Sequence, residues 1–184
     1  MKIKHILFFS FLLLFFTSLQ VTAEIRYVSK TGSSTYPYTS WETAADSIQK
    51  AINASSHGDT IIVANGIYKE TLVIDKQLTL LGSSMDSTVI DGRGLDGVNR
   101  FWVTIDFIDY SGTLTIKYFT FYGRSINSSS TIVYAQNASI TVNDCKFLMT
   151  NNSAINIDRG NLVANNNYFI DVTLGITVSG TSNN

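Results

Sequence analysis

The chain has 184 residues, with 13 Lys and Arg against 14 Asp and Glu, and a formal charge of −1. No cationic excess is available to track a phosphate backbone, so nucleic acid is excluded as an expected partner. Hydrophobic residues make up 45% of the sequence, enough for one packed domain. The single cysteine, Cys145, excludes an intrachain disulfide, so stability has to come from packing. Its place beside Phe147 predicts a small buried hydrophobe.

Residues 1–23 read as a secretory signal peptide. Lys2 and Lys4 precede an unbroken apolar stretch from Ile6 to Phe16, and Val21-Thr22-Ala23 offers a small-residue cleavage site. That stretch is shorter than the roughly 20 residues a stable membrane span needs, and no second run of its kind follows, so stable membrane insertion after cleavage is not expected. Removing Lys2 and Lys4 lowers the formal charge from −1 to −3. The expected location is secreted or cell-surface, and 24–184 is expected to form one domain.

Within 24–59, Glu24 to Val28 reads as an opening strand and Gly32 to Tyr38 as an exposed loop. An amphipathic helix is predicted next. Trp41, Ala44, Ala45, Ile48, Ala51 and Ile52 fall on one face, Glu42, Asp46, Gln49, Lys50 and Asn53 on the other, and Thr39 with Glu42 fits a capping box. His57-Gly58-Asp59 ends it, with His57 placed to favour the helix dipole. A lone helix ahead of a repeat array serves as an N-terminal cap over apolar cross-section and strand edges.

From Thr60 the periodicity becomes that of strands: Ile61 to Ala64, Thr71 to Ile74, Leu78 to Leu81 and Thr88 to Asp91. Turn signals at Asn65-Gly66, Asp75-Lys76, Gly82-Ser83 and Gly92 to Gly97 separate them. Phe101 to Ile108 alternates Val103, Ile105 and Phe107 against Thr104, Asp106 and Ile108.

Three near-copies follow: LTIKYFTF from Leu114, ITVNDCKF from Ile140 and LVANNNYF from Leu162, offset by 26 and then 22 residues. That period suits one turn of a parallel β-helix. Stacking is predicted for Leu114, Ile140 and Leu162, for Ile116, Val142 and Ala164, and for Phe121, Phe147 and Phe169. Each copy leads into an apolar run, at Ile132 to Tyr134, Ile155 to Ile157 and Ile176 to Val178. Twelve Asn against five charged residues from Asn127 onward predict turns in which Asn143 and Asn165, or Asp144 and Asn166, bond backbone of their own and adjacent coils. The array ends directly after a strand with no second cap. The expectation is therefore a fragment of a longer protein with further β-helix coils, or last residues folded over the end.

YVSKTGSS from Tyr27, TSWETAADSIQKAI from Thr39, GDTIIVANGIYKETLVIDKQLTLLG from Gly58 and TVIDG from Thr88 occur in that order. This succession resembles the amino-terminal portion of secreted right-handed parallel β-helix proteins of the pectate-lyase-like superfamily. The resemblance implies an all-β right-handed parallel β-helix with an N-terminal amphipathic capping helix, 60–184 forming its coils. Lyases, hydrolases, esterases, epimerases and non-catalytic surface proteins share that fold. Of the pectin methylesterase signatures, only Asp106-Phe107-Ile108 echoes one, and without its glutamines. The Gly-His-Gly and Arg-x-Lys of polygalacturonase-like hydrolases do not occur, and Asp144, Asp158 and Asp171 are isolated in sequence.

Four constellations carry chemistry. Asp106 and Asp109 could ligate calcium, with Arg100 and Arg124 near them and Arg124 a candidate for pairing a uronate carboxylate. Asp144 with Lys146 and Asp158 with Arg159 read as exposed pairs. Tyr27, Tyr36, Tyr38, Trp41 and Trp102 could present flat rings to sugar faces. No resident cofactor is expected. The functional expectation is a non-catalytic scaffold with polysaccharide binding; the alternative is the amino-terminal part of a polysaccharide-processing enzyme, a uronate lyase or pectin esterase.

Overall fold

The computed structural model describes residues 22–95, 103–108, 112–123 and 130–180. Every strand pair in it is parallel. Strand β1 (Ile25–Val28) and helix α1 (Ile48–Ala54) precede five coils. The first runs through β2 (Thr60–Val63), β3 (Gly66–Tyr68) and β4 (Leu72–Ile74), the second through β5 (Leu78–Gly82), β6 (Thr88–Asp91) and β7 (Val103–Phe107). The third comprises β8 (Thr113–Lys117), β9 (Thr120–Tyr122) and β10 (Thr131–Gln136). The fourth has β11 (Ser139–Asn143) and the long β12 (Lys146–Asp158), the fifth β13 (Asn161–Asn165) and β14 (Tyr168–Ser179).

One six-stranded sheet has the order β1-β2-β5-β8-β11-β13. The other two walls are joined, because β12 pairs with β9 through Lys146–Leu148 and with β10 through Ile155–Asp158. A register shift between Thr150 and Ser153, where β12 pairs with β14, bends the strand from one wall to the next. This is an all-β parallel β-helix.

The predicted stacks form as rows. Leu114, Ile140 and Leu162 are in register, as are Ile116, Val142 and Ala164. Phe121, Phe147 and Phe169 align in the same way, with ring centroids 5.1 and 5.3 Å apart. Each such aromatic pair adds about 1 kcal/mol beyond its buried area. The apolar runs that follow the copies align as well, the first of them shifted by one residue, so that Val133, Ile155 and Ile176 form the row. On the outer face of the six-stranded sheet, Thr60, Thr79, Thr115 and Thr141 stack in four successive coils.

The Asn turns work differently from expectation. Asn165 donates to the Asn143 side chain at 3.1 Å and Asn166 to Asp144 at 2.5 Å, both at exposed positions. Tyr118, Asp144 and Asn166 share a left-handed backbone at this corner, with φ of 63°, 54° and 52°. Asn167 is the residue that bonds backbone across coils: its side chain accepts from the Cys145 amide at 3.0 Å and donates to the Val142 carbonyl at 2.8 Å. Cys145 is buried in the core as expected, and burial pushes its thiol up to about 12.

The cap requires a correction. The helix spans only Ile48–Ala54, not the predicted stretch from Trp41, and its N-cap is Ser47 rather than Thr39. Ala45 is held instead in an extended bridge to Val28, with its amide donating to the Tyr27 carbonyl and its carbonyl accepting from Ser29. Edge pairing with β1 wins because it satisfies backbone groups that a longer helix would leave orphaned. Glu70, just after β3, reaches the helix start and accepts from the Ile48 and Gln49 amides at 3.0 Å each. Gln49 then closes the edge of β4: its side chain accepts from the Val73 amide at 2.9 Å and donates to the Val73 carbonyl at 3.1 Å, imitating a neighbouring strand. A further difference is β3, at a position where Asn65-Gly66 signalled only a turn.

Candidate functional site

Two places gather the chemistry. The first is an aromatic corner beside the cap. Arg26 is buried on β1, donates to Glu24 at 2.7 Å, lies 3.4 Å from the buried carboxylate of Asp59, and donates to the Pro37 carbonyl at 2.7 Å. Asp59 in turn accepts from the Glu24 and Ser56 amides, both at 2.8 Å. This buried network fixes the loop carrying Tyr36 and Tyr38 against β1, and the Tyr27 amide adds a bond to the Tyr38 carbonyl at 2.7 Å. The Trp41 ring packs 4.6 Å from that of Tyr27, and Tyr36 meets Tyr38 edge-on at 6.0 Å.

Tyr36 is 71% and Trp41 44% exposed, which leaves ring area open on a rigid base. Hydroxyl groups flank it, with Ser33 and Thr35 paired at 2.9 Å and Ser40 and Thr43 at 3.1 Å. Open rings edged with hydroxyls suit a ligand with apolar faces and polar rims. Four of the five predicted aromatic residues are therefore in this region; Trp102 lies outside the described residues.

The second place is on the outer side of β7. Ile105 and Phe107 fill the core, as alternation predicts, but Thr104 and Asp106 on the opposite face are also buried, and Asp106 is only 2% exposed. Asp106 is a strand residue in register with Val73 of β4 and Tyr134 of β10. The Thr104 hydroxyl has no hydrogen-bond partner among the described residues. Asp109, Arg100 and Arg124 lie outside those residues. Among the described residues no group of three or more His, Cys, Asp or Glu side chains is arranged to hold a metal ion.

The remaining candidates have structural partners. Lys146 pairs with Asp86 across coils rather than with Asp144. Asp158 accepts from Gln136 at 2.7 Å and lies 3.5 Å from Arg159; the Gln136 bond first, then Arg159, holds its carboxyl below the usual range. His57 accepts the Gln77 amide at 3.2 Å through Nδ1, tying the cap to the second coil instead of serving only the helix end. Asp171 is an exposed residue within β14, with a left-handed φ of 53°. Sequence reading missed a fourth kind of group, the Asp91–Arg93 pair: Arg93 grips Asp91 at 2.8 and 2.9 Å and lies 4.0 Å over the Tyr122 ring. The D-G-R spacing in TVIDGR was the signal for it.

No protein-family model matches the chain, and no curated protein matches it. Among solved structures, it is similar to a pectin methylesterase mutant crystallised with a hexasaccharide, with a TM-score of 0.53 and 18% identity. The match covers 80% of this chain and 55% of that one, so the chain spans about half the length of this neighbour. The likeness is one of fold, a parallel β-helix shared with a polysaccharide enzyme.

Proposed function

We propose that the chain is an exported, secreted or cell-surface β-helix scaffold that binds polysaccharide through its aromatic corner. The observation that carries this is the pair of half-open ring contacts, Tyr27 with Trp41 and Tyr36 with Tyr38, anchored by the buried Arg26–Asp59 network. The solenoid positions the corner and stiffens it, so ring orientation costs little on binding. Residues 1–23 act as the export leader in this reading.

A second reading, the amino-terminal part of a uronate lyase or pectin esterase type of enzyme, draws on Asp106. A carboxylate buried on the outer wall of a β-helix, in register with Val73 and Tyr134 of the flanking strands, is a group suited to general acid or base work. Asp109 as a calcium ligand and Arg124 as a uronate-binding cation belong to this reading.

The test is binding and turnover on polygalacturonate, methylated pectin, alginate and neutral glycans, with and without calcium. Binding without turnover, lost in Trp41→Ala and retained in Asp106→Asn, is the expected result. Turnover abolished by Asp106→Asn would replace the scaffold with the enzyme.

A further inference from the structure

Three bonds hold Glu24, the residue that leads into β1. Its carbonyl accepts from the Thr60 amide at 2.9 Å, its carboxylate pairs with Arg26 at 2.7 Å, and its own nitrogen donates to Asp59 Oδ1 at 2.8 Å. Thr22 and Ala23, just ahead of it, are exposed and belong to no strand. The ordered cap therefore begins at the residue that follows Val21-Thr22-Ala23, the small-residue cleavage site.

Charge is out of balance at this point. Arg26 is divided between two carboxylates, Glu24 at 2.7 Å and Asp59 at 3.4 Å, so one guanidinium against two carboxylates leaves these three side chains at −1. Asp59 is only 1% exposed, and a buried carboxylate is costly unless its charge is met. In the unprocessed chain the Glu24 nitrogen is an uncharged peptide amide. Freed by cleavage, the same atom is an α-ammonium, and the four groups sum to zero. Its 2.8 Å separation from Asp59 lies in the range of a charge-assisted N–H···O bond.

We propose that cleavage between Ala23 and Glu24 is a maturation step as well as a release step: the new α-ammonium of Glu24 is the counter-ion of buried Asp59 and locks β1 to the turn before β2. A leader peptidase catalyses the hydrolysis and water supplies the atoms. The C–N bond breaks, the water oxygen ends on the Ala23 carbonyl carbon as a carboxylate, and the two water protons end on the Glu24 nitrogen. A chain still joined to its leader thus has a weaker cap. The inference rests on reading 1–23 as an export leader and is independent of what the aromatic corner binds.

The experiment uses the full chain, expressed in a host that exports it and purified as that host processes it. The intact mass should correspond to a chain beginning at Glu24. The product is then acetylated with acetic anhydride over a range of pH, folded and in urea, and modification of the Glu24 α-amine is read by peptide mass spectrometry. Because Asp59 favours the ammonium, the folded rate should rise with a midpoint about one unit or more above the ordinary α-amino value of about 8, and return to that value in urea. Burial without a partner would move the midpoint the other way, since desolvation disfavours the charged form. Of the other charged or titratable groups here, Arg26 and the Glu24 carboxylate offset each other at 2.7 Å, and His57, on the same turn as Asp59, accepts the Gln77 amide.

Asp59→Asn should bring the midpoint down to the urea value or below while far-ultraviolet circular dichroism stays β-rich. If that variant does not fold, the comparison of the parent folded and in urea decides. A product that starts at any other residue would overturn the leader reading and the proposal together. A start at Glu24 with a midpoint at or below the ordinary value, or a raised midpoint that survives Asp59→Asn, would overturn the proposal alone.

Discussion

Phe121 and Phe169 occupy the same row, two coils apart, yet among the described residues Phe121 has a coil on either side and Phe169 has one only. The same holds for the close glycine approaches. A Cβ on Gly160 would lie 2.0 Å from the Ala138 carbonyl oxygen of the coil beneath, whereas a Cβ on Gly175 of the last coil would meet nothing nearer than the Phe169 ring at 3.7 Å. In a solenoid, a residue's energetic weight follows from how many coils flank it more than from its type, since each repeat contacts only its neighbours.

That difference can be tested by placing matched substitutions in inner and terminal coils. The largest effect is expected for Phe121→Ala, a loss of about 3–5 kcal/mol in urea denaturation, against clearly less for Phe169→Ala, which can collapse toward solvent. Equal losses would mean that the terminal rung is covered in solution. Next, Gly160→Ala should cost about 1–3 kcal/mol through its backbone clash, and Gly175→Ala should fall within about 0.5 kcal/mol of the parent in the same assay.

A smaller effect tests the closed end. Glu70→Ala leaves the Ile48 and Gln49 amides without their acceptor, and should cost about 1–2 kcal/mol while speeding amide exchange in α1 ahead of the inner strands. The smallest concerns pH. Arg93, through its side-chain bond, holds the Asp91 carboxyl below its ordinary value against the raising effect of burial. A depressed folded value stabilises the protein above the unfolded carboxyl's pKa, near 4, and that contribution is lost as pH falls through the folded value. Asp91→Asn should therefore flatten the melting profile below about pH 4 and leave its shape at neutral pH unchanged.

The coils were legible because their period repeats in the residues themselves: the Phe and Leu/Ile rows could be aligned from spacing alone. The cap was harder. The apolar spacing from Trp41 to Ala45 fits a helical face as well as it fits the actual arrangement, in which Ala44 and Ala45 pack beneath an edge contact to Val28. What decides between them is the location of unpaired backbone in β1, a tertiary fact. Asn65-Gly66 similarly reads as a turn, although Gly66 already begins β3.

At the candidate sites, residue types were visible but partners were not. Alternation in β7 assigns Asp106 to the outer face correctly and says nothing about whether that face is covered. The aromatic corner could be assembled as a set of names, while the pairing of Tyr27 with Trp41 depends on a loop pinned by Arg26, a residue whose burial no local pattern announces.

The cap has a further consequence for how the molecule is made. Synthesis delivers the N-terminal end first, so α1 and β1 can fold while later coils are still absent. Each new rung then finds a finished template upstream, Thr79 pairing with Thr60 19 residues earlier, Thr115 with Thr79 36 earlier and Asn165 with Asn143 22 earlier. Loop closure grows only slowly with length, about 0.6 kcal/mol per doubling, so every rung after the first faces a similar entropic step. Gln49, by standing in for a strand at Val73, gives this succession its starting point and direction: the array can extend from one side only.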